Sequence, residues 1–220
     1  MRIIYVIFIV LFSINIPVYA DDLQDGVDAF IRGDYSTVFK KLRPLAEQGN
    51  PFAQYGLAWA YHNGTESTRN SKEAVKWYKL SAEQGNTSAR SNLAIMYRFG
   101  KGITKDYKKA VKWYSLGAKQ GDIKSQLALG WMYLNGEGVA QDYKEAFKWY
   151  SLGAKQGDAI SQSNLGMMYD LGKGVTQDYK EAFKWYRLSA NQGNAVAQNS
   201  LGMMYSNGIG IAPDYKKALM

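Results

Sequence analysis

"DYKEAFKWYSLGAKQGD", residues 142–158, threads lysines through a tryptophan–tyrosine pair. Such a strip suits a binding surface, and it suits one face of a buried helix equally well. The rest of the chain decides between them. The stretch returns as "DYKKAVKWYSLGAKQGD" at 106–122 and as "DYKEAFKWYRLSANQGN" at 178–194, each a step of 36 residues. Trp77, Trp113, Trp149 and Trp185 keep that step, as do Gly49, Gly85, Gly121, Gly157 and Gly193. So do Leu57, Leu93, Leu129, Leu165 and Leu201, each followed four residues later by a tyrosine: Tyr61, Tyr97, Tyr133, Tyr169 and Tyr205. Self-similarity at a fixed period of this length marks stacked supersecondary units.

The unit at 123–158 shows what each copy does. Its first half, "IKSQLALGWMYLNGEG", places Leu129 and Tyr133 on one helix face with small Gly130 between them. "GEGV" breaks the pattern with two glycines. Asp142 is a predicted N-cap, and Glu145 three residues later predicts a capping box; Asp178 with Glu181 and Asn70 with Glu73 repeat it. Ala146, Trp149, Tyr150 and Ala154 then make a wide apolar stripe, and Gly157 ends the second helix. A hairpin of this kind cannot cover its own apolar faces, but stacked neighbours can. The sequence therefore predicts an all-α solenoid of 36-residue helix–turn–helix repeats.

The expected organisation is a segment 1–20, a cap-like hairpin at 22–50, repeats at 51–86, 87–122, 123–158 and 159–194, and a truncated repeat at 195–220. The cap hairpin carries Lys41 and Leu42 where the other copies carry Trp-Tyr. The second hairpin reads "HNGTESTRNS", with Glu66 in place of the second turn glycine, which predicts a different turn. The last copy stops at Met220, before its Trp-Tyr, so its neighbour's apolar face is expected to be under-covered. At the other end, Arg2, an apolar run from Ile3 to Ile16, Pro17, then Val18 and Ala20, read as a secretory signal cleaved after Ala20. The run is short for a membrane span, and no other stretch is long and apolar enough for one.

Composition removes several chemistries. The 220-residue chain has no cysteine and one histidine, His62, so disulfides, thiolate metal sites, a cysteine nucleophile and a multi-histidine site are excluded. No cofactor and no catalytic constellation are expected. The GxG turns lack the third glycine and the preceding strand of a dinucleotide site. The net charge of +8 favours anionic partners without naming one. Lys108 and Lys112, Lys144 and Lys148, and Lys180 and Lys184 lie four apart on second helices, as do Lys72 and Lys76, and stacking would align them into a basic ridge. The same pairs suit an ordinary solvated face, helped by Glu73, Glu145 and Glu181.

The recurring "A-x-x-x-L-G-x-x-Y-x-x-G-x-G-V-x-x-D-Y-x-x-A-x-x-W-Y" pattern resembles the Sel-one-like repeat, a relative of the tetratricopeptide repeat. The resemblance covers nearly all of the chain after residue 20. It implies an α/α superhelix and a non-enzymatic adaptor role, and many such proteins are exported by bacteria. It also implies that first helices line a concave groove. The copies differ most at four positions on one first-helix face, those of Tyr55, Trp59, His62 and Asn63. The expected partner-binding residues are Tyr55, Trp59, His62, Arg98, Phe99, Trp131, Leu134, Asn135, Asp170 and Leu171, with inter-repeat packing as the alternative for the Trp59 and Trp131 series. The expected function is a protein–protein interaction scaffold in the bacterial envelope or outside the cell, holding a protein or peptide segment. The alternative is an envelope polysaccharide or cell-wall assembly factor that binds an anionic polymer through the lysine ridge. Nucleic acid is not an expected partner, for want of any motif that reads it.

Overall fold

The computed structural model describes residues 21–214. The segment expected to be a signal peptide, 1–20, and the final residues 215–220 lie outside it. The described residues hold eleven helices and no strand. They are α1 (21–32), α2 (Tyr35–Glu47), α3 (Pro51–Asn63), α4 (Ser71–Glu83), α5 (Thr87–Phe99), α6 (Tyr107–Lys119), α7 (Ile123–Asn135), α8 (Tyr143–Lys155), α9 (Ala159–Leu171), α10 (Tyr179–Ala190) and α11 (Ala195–Asn207). The chain divides into two compact units, one up to Lys105 and one from Asp106, so the third hairpin gives α5 to the first and α6 to the second. Within each unit the helices pack on their sequence neighbours, α2 to α5 in the first and α6 to α11 in the second, and the 36-residue helix pairs make the all-α solenoid predicted above.

Asp or Asn caps every helix from α2 to α11, its side-chain oxygen accepting from backbone N–H groups of the first turn. The predicted capping box is only half formed. Asp142 accepts from the N–H groups of Lys144 and Glu145, but its own N–H donates to the Tyr133 carbonyl at 2.9 Å. Glu145 therefore has no donor to reach back to, and pairs with Lys148 instead. Asp178 bonds Tyr169 and Asn70 bonds Tyr61 in the same way. Asp214 bonds Tyr205 likewise, so the carbonyls of Tyr61, Tyr133, Tyr169 and Tyr205 close their hairpins, a constraint that local sequence does not show.

Packing follows the repeat. In the second unit Tyr150 is wholly buried under Gly130, and a Cβ on Gly166 would stand 2.8 Å from the Tyr186 ring. Met132 and Met168 complete the interior. The first unit seals its end differently. Lys41, in the place of a Trp, bonds Asp22 and Asp25 at 2.7 and 3.0 Å, and buried Leu42 fills the space beside Gly26 and Gly56.

Between hairpins runs a ladder of glutamines. Gln126 and Gln162 are buried, and each donates to a carbonyl of the preceding second helix, Ala118 and Ala154. Each also accepts from a glutamine ending its own hairpin, Gln156 and Gln192, at 2.7 and 2.8 Å. Gln54 repeats the arrangement with Ala46 and Gln84, while Arg90 takes the glutamine's place and donates to Ala82. A second adjustment is one of size. Gly117 and Gly153 face Ser125 and Ser161, whereas Ser81 and Ser189 come with Ala89 and Ala197 at the same two positions. Each pair keeps one small and one smaller residue, as a close-packed interface requires.

The second turn glycine is held by contact as well as by conformation. Gly138 has φ +75°, and a Cβ there would meet the Tyr107 backbone at 2.6 Å. Gly157 has φ +91° with nothing within 4 Å. Gly157→Ala is expected to destabilise the second unit by about 1–2 kcal/mol from backbone strain alone. Gly138→Ala adds overpacking, for a total of about 2–5 kcal/mol. Urea unfolding of the two variants checks this, and equal midpoints would remove the contact from the account.

Candidate partner-binding face

The four variable positions do not share one environment. In the first unit Trp59 lies against Phe30, ring centroids 4.3 Å apart, with Tyr35 stacked at 6.1 Å. Tyr55 packs between Phe30 and Tyr78. Both are only partly exposed, and aromatic packing holds their side chains in the body of the unit. Ser91 and Ser163, which share Tyr55's repeat position, are buried.

Trp131 behaves differently. It occupies Trp59's repeat position in α7, yet 45% of its surface is exposed, with Nε1 3.4 Å from Glu137. Leu134 leans inward onto the cluster around Ala146 and Tyr150. Asn135 is exposed and donates to the Trp131 carbonyl, tying off the end of α7. Leu171, at the end of α9, is 53% exposed. The second unit thus carries exposed apolar side chains on three first helices, α7, α9 and α11, where Met203 holds Trp131's repeat position and is also exposed. In the first unit Phe99 is 59% exposed, with the Arg98 guanidinium 5.3 Å over its ring.

Two titratable groups on this face sit against the buried tyrosines. His62 is edge-on to Tyr78 at 6.2 Å, and its buried Nδ1 has no hydrogen-bond partner among the described residues. Burial, aided by Lys101 and Arg69, holds its pKa below the ordinary value. Asp170 is half-buried, which raises its carboxyl pKa, and it hydrogen-bonds Tyr186, whose hydroxyl burial pushes up to about 12.

The ridge lysines are exposed. Lys148 and Lys184 pair with Glu145 and Glu181 one turn earlier, so part of their charge is spent locally. On α6, Lys109 stands in the glutamate's place, leaving Lys108 and Lys112 in a basic cluster. Among the described residues no group of three or more His, Asp or Glu could hold a metal ion, and no helix is long and apolar enough to cross a membrane.

Fold and face together define an α/α repeat protein with its variable residues on first helices. The Sel1 repeat model matches residues 51–86, 87–122, 123–158, 159–194 and 195–220, and the chain belongs to that family. Sel1 repeat proteins are in general protein-interaction scaffolds without catalytic activity, and bacterial ones are often exported. The chain is similar to c5321, described as a protective antigen of uropathogenic Escherichia coli with an SLR fold. Identity is 36%, the TM-score is 0.86, and the match covers 91% of this chain but 44% of that one. A Sel1 repeat protein from Oxalobacter formigenes is 34% identical with TM-score 0.84, over 90% of this chain and 79% of that one. The immunity protein PA5088 of Pseudomonas aeruginosa shares the fold at 21% identity and TM-score 0.54, over 84% and 70% of the two chains. No protein of curated function matches significantly.

The shift at Asp170 makes a signed prediction. Its folded pKa is raised, so the ionised carboxylate opposes folding above that pKa, and the penalty disappears as pH falls below the unfolded value of about 3.9. Asp170→Asn is expected to raise the thermal midpoint at pH 7, with the difference from wild type closing towards pH 4. A difference that widens on acidification would show the carboxylate to be a net stabiliser.

Proposed function

We propose that this chain is an exported, non-enzymatic scaffold that holds a protein or peptide segment against its first-helix face. The observation that carries the reading is the exposure of Trp131 and Leu171 at positions where the copies diverge. Residues serving only the stack repeat almost unchanged, as Leu129 and Leu165 do. An exposed aromatic beside aliphatic and amide groups is the composition of an interface anchor. Arg98 with Phe99 supplies a comparable pair in the first unit. Asn135 and Asp170 would give the polar contacts that fix a partner's register. Tyr55, Trp59 and Leu134 would support this face from beneath, and His62 would border it.

In this reading residues 1–20 direct export and are removed after Ala20, leaving the protein in the periplasm or outside the cell. The c5321 likeness supports that setting only in part, since this chain spans less than half of that protein. The lysine ridge is kept as a second reading because α6 concentrates Lys108, Lys109 and Lys112 without a glutamate among them. It would bind an anionic envelope polymer.

Site-specific photocrosslinking in cells separates the two. A crosslinker at Trp131 or Leu171 is expected to trap one protein species, and Trp131→Ala with Leu171→Ala should weaken its capture at least about tenfold, the scale of losing one interface anchor. Lys148→Glu with Lys184→Glu should leave capture intact. Crosslinks arising only from the lysine positions, or none from α7 and α9, would reject the face.

A further inference from the structure

The second hairpin's turn is the one that departs from the repeat, and a pocket has opened beside it. In the α5, α7, α9 and α11 hairpins a glycine caps the first helix in the left-handed conformation, and a second presses on the start of an earlier second helix. Here Gly64 is extended instead, at φ −61° and ψ 177°, and Glu66 replaces the second glycine. Tyr35, at the position the second glycine would press upon, bonds the Asn63 carbonyl with its hydroxyl at 3.1 Å. The altered turn, equal in length to the others, leaves an open pocket of about 410 Å³ between α2, α3 and the start of α4.

The lining has a consistent chemistry. Arg43 and Arg69 both contribute to it. Arg43 donates to the Tyr61 hydroxyl at 2.8 Å and lies over the Phe39 ring, and Arg69 donates to the Gly64 carbonyl at 3.3 Å. Neither has a carboxylate partner among the described residues, so most of their ten N–H donors stay available. Ser67 and Thr68 add hydroxyls, and both bond Thr65. Asn70 adds an amide, its carbonyl oxygen being taken up by the cap of α4. No acidic residue lines the cavity, and Glu73 is occupied by Trp77 and Lys76. Phe39 and Tyr61, edge to face at 4.8 Å, form the apolar wall.

We propose that this pocket binds an oxyanion group, phosphate or carboxylate, carried by a small ligand. Two unpaired guanidinium forks match such a group in geometry and charge. The positive end of α4 adds to the attraction. The volume lies at the lower end of the small-molecule range and exceeds a bare phosphate. The pocket has room for a sugar-sized body beside the oxyanion, against the apolar wall and the hydroxyls. The site is independent of the first-helix face, and either can stand without the other. Arg187 makes an internal control. It occupies Arg43's repeat position and lies over Phe183 as Arg43 lies over Phe39, but the neighbouring turn keeps both glycines, Gly208 and Gly210.

Protein purified after expression of the full chain is titrated calorimetrically with inorganic phosphate, glucose 6-phosphate and glucuronate. Saturable one-to-one binding of at least one probe is expected, and the preferred probe identifies the oxyanion. Arg43→Gln and Arg69→Gln should each weaken it about tenfold or more, the effect of losing charged hydrogen bonds. Arg187→Gln should leave it unchanged. Circular dichroism confirms that each variant stays folded. No saturable binding of any probe, or an equal loss in Arg187→Gln, overturns the site.

Discussion

A tyrosine ring lies under a first-helix residue that has no room to grow, and the rest of the fold depends on that fit. Tyr150 fits beneath Gly130, and Tyr186 beneath Gly166. In the first unit Ala58 and Ala94 hold the same repeat position as these glycines, so the requirement is smallness rather than glycine itself. The close approach sets the distance between the two helices of a hairpin. It also fixes which first-helix residues face inward. Leu129, Met132 and Leu165 then point into the stack, and Trp131 and Leu171 are left outside it. The scaffold reading rests on that sorting. Selection for packing repeats a residue, whereas positions free of packing can vary and take up binding.

Much of this was legible in the sequence. The 36-residue period located each hairpin, and Asp, Asn and Gly marked the helix ends. The substitution of Glu66 correctly announced an altered turn. Other features depend on partners far away in sequence. The capping box failed because the Tyr133 carbonyl, from another helix, reaches the Asp142 N–H first. Trp59 and Trp131 share a repeat position, yet one is packed against Phe30 and the other is exposed. The difference comes from the cap hairpin, whose α1 supplies an aromatic ring. The glutamine ladder did leave a trace, since Gln54, Gln126, Gln162 and Gln198 keep the period. A polar residue repeated among core positions is the signal that would have found it.

The ladder also bears on how rigid a binding face can be. Buried glutamines must stay bonded, because an amide left unpartnered in the interior costs about 1–3 kcal/mol. Gln126 and Gln162 bond a carbonyl of the preceding hairpin, and Gln156 and Gln192, which hold them, also donate to the preceding hairpin's Gly121 and Gly157 carbonyls, so sliding breaks two bonds at once. Apolar packing resists separation but tolerates slip, and the amides supply the register. A scaffold that presents side chains from successive first helices needs that register, since a partner reads their spacing.

The central claim is that each hairpin is held by its immediate neighbours, with the buried tyrosine as the point of closure. Residue-resolved hydrogen exchange of wild type and Gly130→Val tests it most directly. Added bulk at Gly130 would displace Tyr150. Nearest-neighbour coupling predicts the largest loss of amide protection in α7 and α8, a smaller loss in α6 and α9, and near wild-type protection in α11. Uniform loss from α6 to α11, or no loss in α8, would contradict the account.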